Sequence, residues 1–169
     1  MPKEGVSHLG HNDILRYEEI LRIVRIAVGK GITKVRVTGG EPLVRSGVIE
    51  FLAALRGVEG LRDITLTTNG ILLEQFAEPL YKAGITRINI SLDSLVPEKY
   101  RDITRGGDLN KVLRGIEKAR ETGFSPIKIN VVGIEGFNDD EIPGFVRLAE
   151  EYPYQVRFIE YMPVGDGME

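Results

Sequence analysis

Apolar and polar residues alternate through a series of short segments, each preceded by a longer segment whose apolar residues recur at helical spacing. Val35 and Val37 alternate with Arg36 and Thr38, Ile64 and Leu66 with Thr65 and Thr67, Ile88 and Ile90 with Asn89 and Ser91, and Ile129 and Val131 with Lys128 and Asn130. This spacing predicts strands over residues 34–38, 63–68, 86–92 and 127–132, with a fifth over 155–161. The first helix, residues 17–30, carries a stripe of Ile20, Val24 and Val28 flanked by Leu21, Ile23 and Ala27. Gly31, Gly60, Gly84 and Gly123 each stand ahead of a strand, and Gly31 reads as a left-handed helix cap. Pro97 suits a first helical position, and Asn110 suits a cap. Asn138 followed by Asp139, Asp140 and Glu141 reads as a capped helix start for residues 139–151.

Helix and strand thus repeat at a spacing of roughly 30 residues, the mark of βαβ units and a parallel sheet. In a sheet covered by helices on both faces the strands would read as continuous apolar runs. Here one face is apolar and the other polar in strand after strand. Helices cover the apolar face, so the polar face lines the inside of an incomplete or open barrel. Solvent-facing antiparallel strands would give the same alternation, but the intervening helices argue against them.

On that geometry Arg36 and Lys128 both point into the lumen, where a cation held away from water needs an anion. Each charge-assisted hydrogen bond to a phosphate oxygen contributes about 1.5 to 3 kcal/mol. Thr67 and Ser91 add hydroxyls near the same rim. An anionic, phosphorylated ligand is the expectation; the alternative is that both cations pair with carboxylates such as Asp63.

Composition narrows the class further. A chain of 169 residues, 42% apolar, supports one domain with its own core. We expect a loop or arm over residues 1–14 and a single partial barrel over 15–169, truncated at both ends. A net charge of -3 argues against nucleic acid as the main partner. No segment has the length of a membrane span, and the N-terminus, with His8 and His11, lacks the pattern of a signal peptide; a cytoplasmic protein with no membrane partner is the expectation. There is no cysteine, hence no thiolate ligand or nucleophile.

Four polar or glycine-rich motifs fall at the C-terminal ends of strands, where barrels of this kind place their sites. They are TGGEP (residues 38–42), TTNG (67–70), SLD (91–93) and the segment 160–165. Gly39 and Gly40 let a ligand approach the backbone, and Glu41 offers a carboxylate to an ammonium group. Taken singly, each motif also reads as an ordinary turn or strand end.

RVTGGEP (36–42), LTTNG (66–70), RINISLD (87–93), KINVV (128–132) and RFIEYMPVG (157–165) together resemble the GTP 3',8-cyclases. These are radical S-adenosylmethionine (SAM) enzymes that begin molybdenum cofactor biosynthesis. The resemblance runs along essentially the whole chain and implies an incomplete (β/α) barrel of the TIM type. It implies that Gly39, Gly40, Glu41, Ser91 and Met162 hold SAM, that Arg36, Thr67 and Lys128 bind GTP, and that the protein forms a homodimer. In that family a [4Fe-4S] cluster cleaves SAM to a 5'-deoxyadenosyl radical, which takes a hydrogen from the GTP ribose before the nucleotide is rebuilt into a cyclised pterin precursor.

The sequence departs from the family at both ends. The family's CxxxCxxC motif is expected directly before Met1, and a second cysteine-bearing region after Glu169. The expectation is therefore a central part of such an enzyme, with no cluster, no catalytic residue of its own and no activity by itself. The strand at 34–38 would then lack its first neighbour and leave an open edge. Two other readings stay open, a cluster-free module that binds nucleotide or SAM, and a radical SAM enzyme acting on another substrate.

Overall fold

A computed structural model describes residues 14–162. The arm expected over residues 1–14, all but its last residue, and Pro163, Val164 and Gly165 of the last motif lie outside the described residues. Five parallel strands form one sheet: β1 (Lys34–Val37), β2 (Asp63–Thr68), β3 (Ile88–Ser91), β4 (Ile127–Gly133) and β5 (Tyr154–Glu160). They are connected by α1 (Tyr17–Gly29) ahead of β1, then α2 (Val48–Arg56), α3 (Leu73–Lys82), α4 (Pro97–Thr104), α5 (Leu109–Thr122) and α6 (Ile142–Glu151).

Spatial order follows chain order, β1-β2-β3-β4-β5, with every neighbouring pair parallel. Right-handed crossovers that all step in one direction put every helix on the same face, whereas a doubly wound sheet reverses direction partway. The sheet is thus a barrel wall with its helices outside. Ile64, Leu66, Ile88, Ile90, Ile127, Ile129 and Val131 are buried under those helices with Leu52, Leu73, Leu80, Val112, Ile116 and Phe145. The opposite face carries the polar partners of the alternation, as the sequence pattern requires.

Helix ends account for most departures from expectation. Four glycines ahead of strands, Gly31, Gly60, Gly84 and Gly123, have φ between +88 and +104, conformations that cost a side-chain-bearing residue more. Pro97 opens α4 as expected. Asn110, however, is not a cap: Asp108 is, and its carboxylate accepts the Asn110 backbone N–H at 3.0 Å. Asn138 makes no cap bond either, because its amide is drawn into the gap between β3 and β4, and a short 3-10 turn, Asp139–Glu141, intervenes before α6. On α1 the buried stripe is narrower than the pattern suggested: Val24 is buried, whereas Ile23 is 53% exposed.

The outer edge of β1 has no strand beside it among the described residues, the open edge anticipated from the sequence. An apolar crevice of about 240 Å3 runs along it, lined in part by Ile20, Val35, Val37 and Phe51. Arg45, whose guanidinium stacks 4.2 Å over the Tyr17 ring, also lines this crevice.

Candidate functional site

Beyond the end of β1, Thr38, Gly39 and Gly40 carry the chain across the rim to Glu41 and a short 3-10 turn, Pro42–Val44. Gly39 has φ +143, and a Cβ built on Gly39 or Gly40 meets nothing within 4 Å, so the space above both peptide groups is free for a ligand. Glu41 is less free than its sequence position suggested. One carboxylate oxygen accepts from Thr68 Oγ1 at 2.7 Å and from the Leu43 N–H at 3.1 Å, and the other accepts from the Asn69 N–H at 2.7 Å. Glu41 therefore ties the GGEP turn to the TTNG turn, and an ammonium donor would find its open acceptor position on Oε2.

The TTNG turn is held from behind as well. Thr68 Oγ1 accepts from the Gly70 N–H at 3.1 Å, and Asn69 Oδ1 from the Ile71 N–H at 3.0 Å. Gly115 in α5 makes room for the turn: a Cβ there would stand 2.7 Å from the Gly70 carbonyl oxygen. The result is a cleft of about 400 Å3 lined by Thr38, Gly39, Gly40, Glu41, Thr67, Thr68, Asn69 and Ser91. Four of the residues singled out from sequence as SAM contacts, Gly39, Gly40, Glu41 and Ser91, thus meet around one space, with Thr67 on its wall. Met162, the fifth, stands 68% exposed just past β5 and does not line that cleft.

Arg36 and Lys128 lie on the polar face, as their alternation implied. Asn89 is the residue opposite both Thr67 and Lys128, so those three form one row across the sheet, and Ser91, Asn130 and Arg157 form the next row toward the rim. Partial desolvation, and then the charges of Arg157, Arg87 and Arg36, hold the Lys128 ammonium below its ordinary pKa, with Asp63 acting weakly the other way. The pairing alternative raised from the sequence does not hold for Asp63: its carboxylate accepts from Arg87 Nη1 at 2.9 Å. Arg36, Lys128 and Arg157 have no ion-pair partner among the described residues. Sequence reading missed Arg87 and Arg157 as members of this cluster, although both continue the polar alternation of their strands and that signal was available.

Also at the rim, two buried polar clusters lock the β3 and β4 ends together. Asn138, 3% exposed, donates to the Asp93 carbonyl at 2.6 Å and the Val132 carbonyl at 2.8 Å and accepts from the Ile134 N–H at 2.8 Å. The Asp93 carboxylate accepts from the Val132 N–H at 2.8 Å, and burial raises its pKa against the lowering effect of that bond. Glu141 accepts from Ser94 Oγ and from the Leu95 N–H, and Lys99 bonds Asp140 at 2.7 Å. These clusters fix the loop that follows Ser91.

The residues present do not fit an iron-sulfur cluster. The 169 residues contain no cysteine, and the described residues contain no group of three His, Asp or Glu side chains able to hold a metal ion. A SAM-sized ligand fits better, since the cleft offers free backbone at Gly39 and Gly40 and hydroxyls at Thr38, Thr67 and Ser91. No helix among the described residues is long and apolar enough to cross a membrane.

Comparison with known proteins places this geometry. The chain is 54% identical over all 169 residues to a GTP 3',8-cyclase of Alkaliphilus oremlandii, covering 53% of that protein. It is 57% identical over 166 residues to one of Syntrophomonas wolfei, covering 98% of this chain and 51% of that protein. The chain thus spans about half the length of these curated relatives. Among solved structures, Streptococcus suis SuiB bound to S-adenosylmethionine aligns with a TM-score of 0.75 at 21% identity, over 90% of this chain and 35% of that one. TYW1 with a lysine-pyruvate adduct aligns at 0.67 and 24%, over 88% and 54%. At these identities the structures bear on the fold alone. The Radical SAM superfamily profile matches residues 5–149, and the chain belongs to that superfamily, whose members use SAM with a [4Fe-4S] cluster.

Proposed function

We propose that this chain is the substrate-holding barrel part of a GTP 3',8-cyclase, binding SAM in the rim cleft and the triphosphate of GTP on the lumen face. The observation that carries the reading is the set of cations without ion-pair partners among the described residues, Arg36, Lys128 and Arg157, on the polar face that also carries Thr67 and Ser91 of a cleft with free backbone. Three cations converging on one face suit a ligand with several negative oxygens, and identity above 50% along the whole chain to GTP 3',8-cyclases supports GTP as that ligand. Gly39, Gly40, Glu41, Ser91 and Met162 hold SAM on this reading, and Arg36, Thr67 and Lys128 hold GTP. SAM, when bound beside a cluster, supplies the radical chemistry of the superfamily; the residues of this chain bind and orient.

Titration of GTP, GMP and guanosine onto the purified chain tests the reading. GTP is expected to bind well ahead of guanosine and to weaken at least about tenfold in Lys128→Ala, the size of one charge-assisted bond. Equal binding of GTP and guanosine, or a Lys128→Ala variant that binds GTP normally, would sink it. Anaerobic treatment with iron and sulfide should leave the chain without a cubane absorbance. The lack of cysteine also favours a second reading, a cluster-free module that binds nucleotide or SAM. In-frame DNA upstream of Met1 separates the two, since a CxxxCxxC there supports the cyclase and a stop codon the module.

A further inference from the structure

At the opposite end of the sheet from the rim, a second cleft of about 470 Å3 opens beneath the first residues of β1, β2 and β3. Its lining includes Lys34, Arg56, Arg62 and Arg87 against one carboxylate, Asp63, which already accepts from Arg87. Four positive charges less one negative leave a local excess of three in a chain whose net charge is -3. We propose that this cleft is a second anion site, taking a small phosphoanhydride such as pyrophosphate.

The cations come from separate parts of the fold: the start of β1, the last turn of α2, the residue before β2 and the residue before β3. Only folding brings them together. The seat of Arg56 is built into the backbone. Gly84 has φ +88, and a Cβ on it would stand 3.0 Å from Arg56 Cγ and 3.3 Å from Cδ, so the missing side chain is the space in which the arginine stem lies. Neither Arg56 nor Arg62 nor Lys34 has an ion-pair partner among the described residues.

Three guanidinium groups around one space match the oxygens of a phosphate better than a single carboxylate. Apart from Ile64 and Gly84 the lining is polar or charged, which gives the apolar side chains of a peptide nowhere to sit. A water molecule takes about 30 Å3, so the cleft accepts a diphosphate with part of its hydration. The anion can be free, or it can be the end of the phosphate chain of a nucleotide held on the lumen face, because Arg87 belongs to both places.

Calorimetric titration of pyrophosphate onto the intact chain near 0.15 M salt tests the site. A binding event is expected that is about tenfold or more weaker in the Arg56→Gln, Arg62→Gln double variant and within about twofold of wild type in Lys128→Ala, where any binding to the lumen cations is itself weakened. Both arginines are exposed, so the double variant should fold, and its far-UV spectrum and melting temperature check that it does. Binding that survives saturating GTP identifies a free anion. Competition by GTP, with GTP itself weakened in the double variant, identifies the nucleotide tail; either result supports the site. No pyrophosphate binding overturns it, as does binding lost in Lys128→Ala but retained in the double variant, or a hexaglutamate peptide that binds as tightly. Loss of GTP binding in Lys128→Ala alone bears on the proposed function and leaves this site standing.

Discussion

The rim of the sheet and its polar face treat their charges in opposite ways. On the rim, Glu41, Asn138 and Glu141 each accept or donate several hydrogen bonds within the chain, so the loops are tied to one another before any ligand arrives. On the polar face, partial desolvation and then the charges of Arg157, Arg87 and Arg36 depress the Lys128 pKa, and Arg36, Lys128 and Arg157 have no ion-pair partner among the described residues. Satisfied groups make architecture, and clustered like charges without partners cost stability until something anionic binds. The two regions should therefore answer mutation differently, one in folding and the other in binding.

The largest expected effect is on the rim. Asn138→Ala removes three hydrogen bonds at a buried position and strands two carbonyls and an N–H, at about 1 to 3 kcal/mol for a group left unsatisfied. A total of about 3 kcal/mol, read by urea denaturation, is the expected loss. If Asn138→Ala unfolds at the wild-type midpoint, the rim is not held as described. Glu41→Ala comes next, at about 2 kcal/mol, because Thr68 and the Asn69 and Leu43 N–H groups lose one shared acceptor. Glu41→Gln keeps an acceptor oxygen and should recover part of that loss.

How far these regions were legible in the sequence follows from the same contrast. Alternation of Val35, Arg36, Val37 and Thr38, repeated in later strands, was enough for strand positions, the one-sided helix layer and the placing of Arg36 and Lys128 on one face. That inference needs only local periodicity. The TGGEP and TTNG turns were legible as rim motifs because glycine and proline act locally. Long-range partners were not. Nothing near Glu41 in the chain announces Thr68 and Asn69, 27 and 28 residues on. Asn138 looked like a cap because caps and loop bridges draw on the same side chains, and only the spacing between β3 and β4 decides which one forms.

On the polar face the expected effect is smaller in stability and larger in binding. Lys128→Met removes one charge from a repelling cluster, so its unfolding midpoint should equal or exceed that of wild type, within about 0.5 kcal/mol. GTP affinity should fall at least about tenfold in the same variant. A marked loss of stability would mean that Lys128 has an anionic partner within the fold, and the contrast between the two regions would collapse.

The finest test uses pH. A lysine whose folded pKa lies below its ordinary value, about 10.4, weakens the fold in its charged form. That cost is fully present below the folded pKa and fades as pH rises toward the unfolded one. Relative to Lys128→Arg, which stays charged throughout, wild type should therefore gain stability as pH climbs through that window. Ligand binding should run the other way. A phosphate anion favours the charged lysine, so affinity for GTP is level below the folded pKa and declines above it, starting at a lower pH than a solvent-exposed lysine would give. Because the guanine base also ionises in alkali, the ratio of wild-type to Lys128→Arg affinity is the quantity to follow. A ratio that falls while the ratio of stabilities rises is the signature of a lysine held uncomfortably for its ligand. Two flat ratios would place Lys128 in open solvent and take it out of the site.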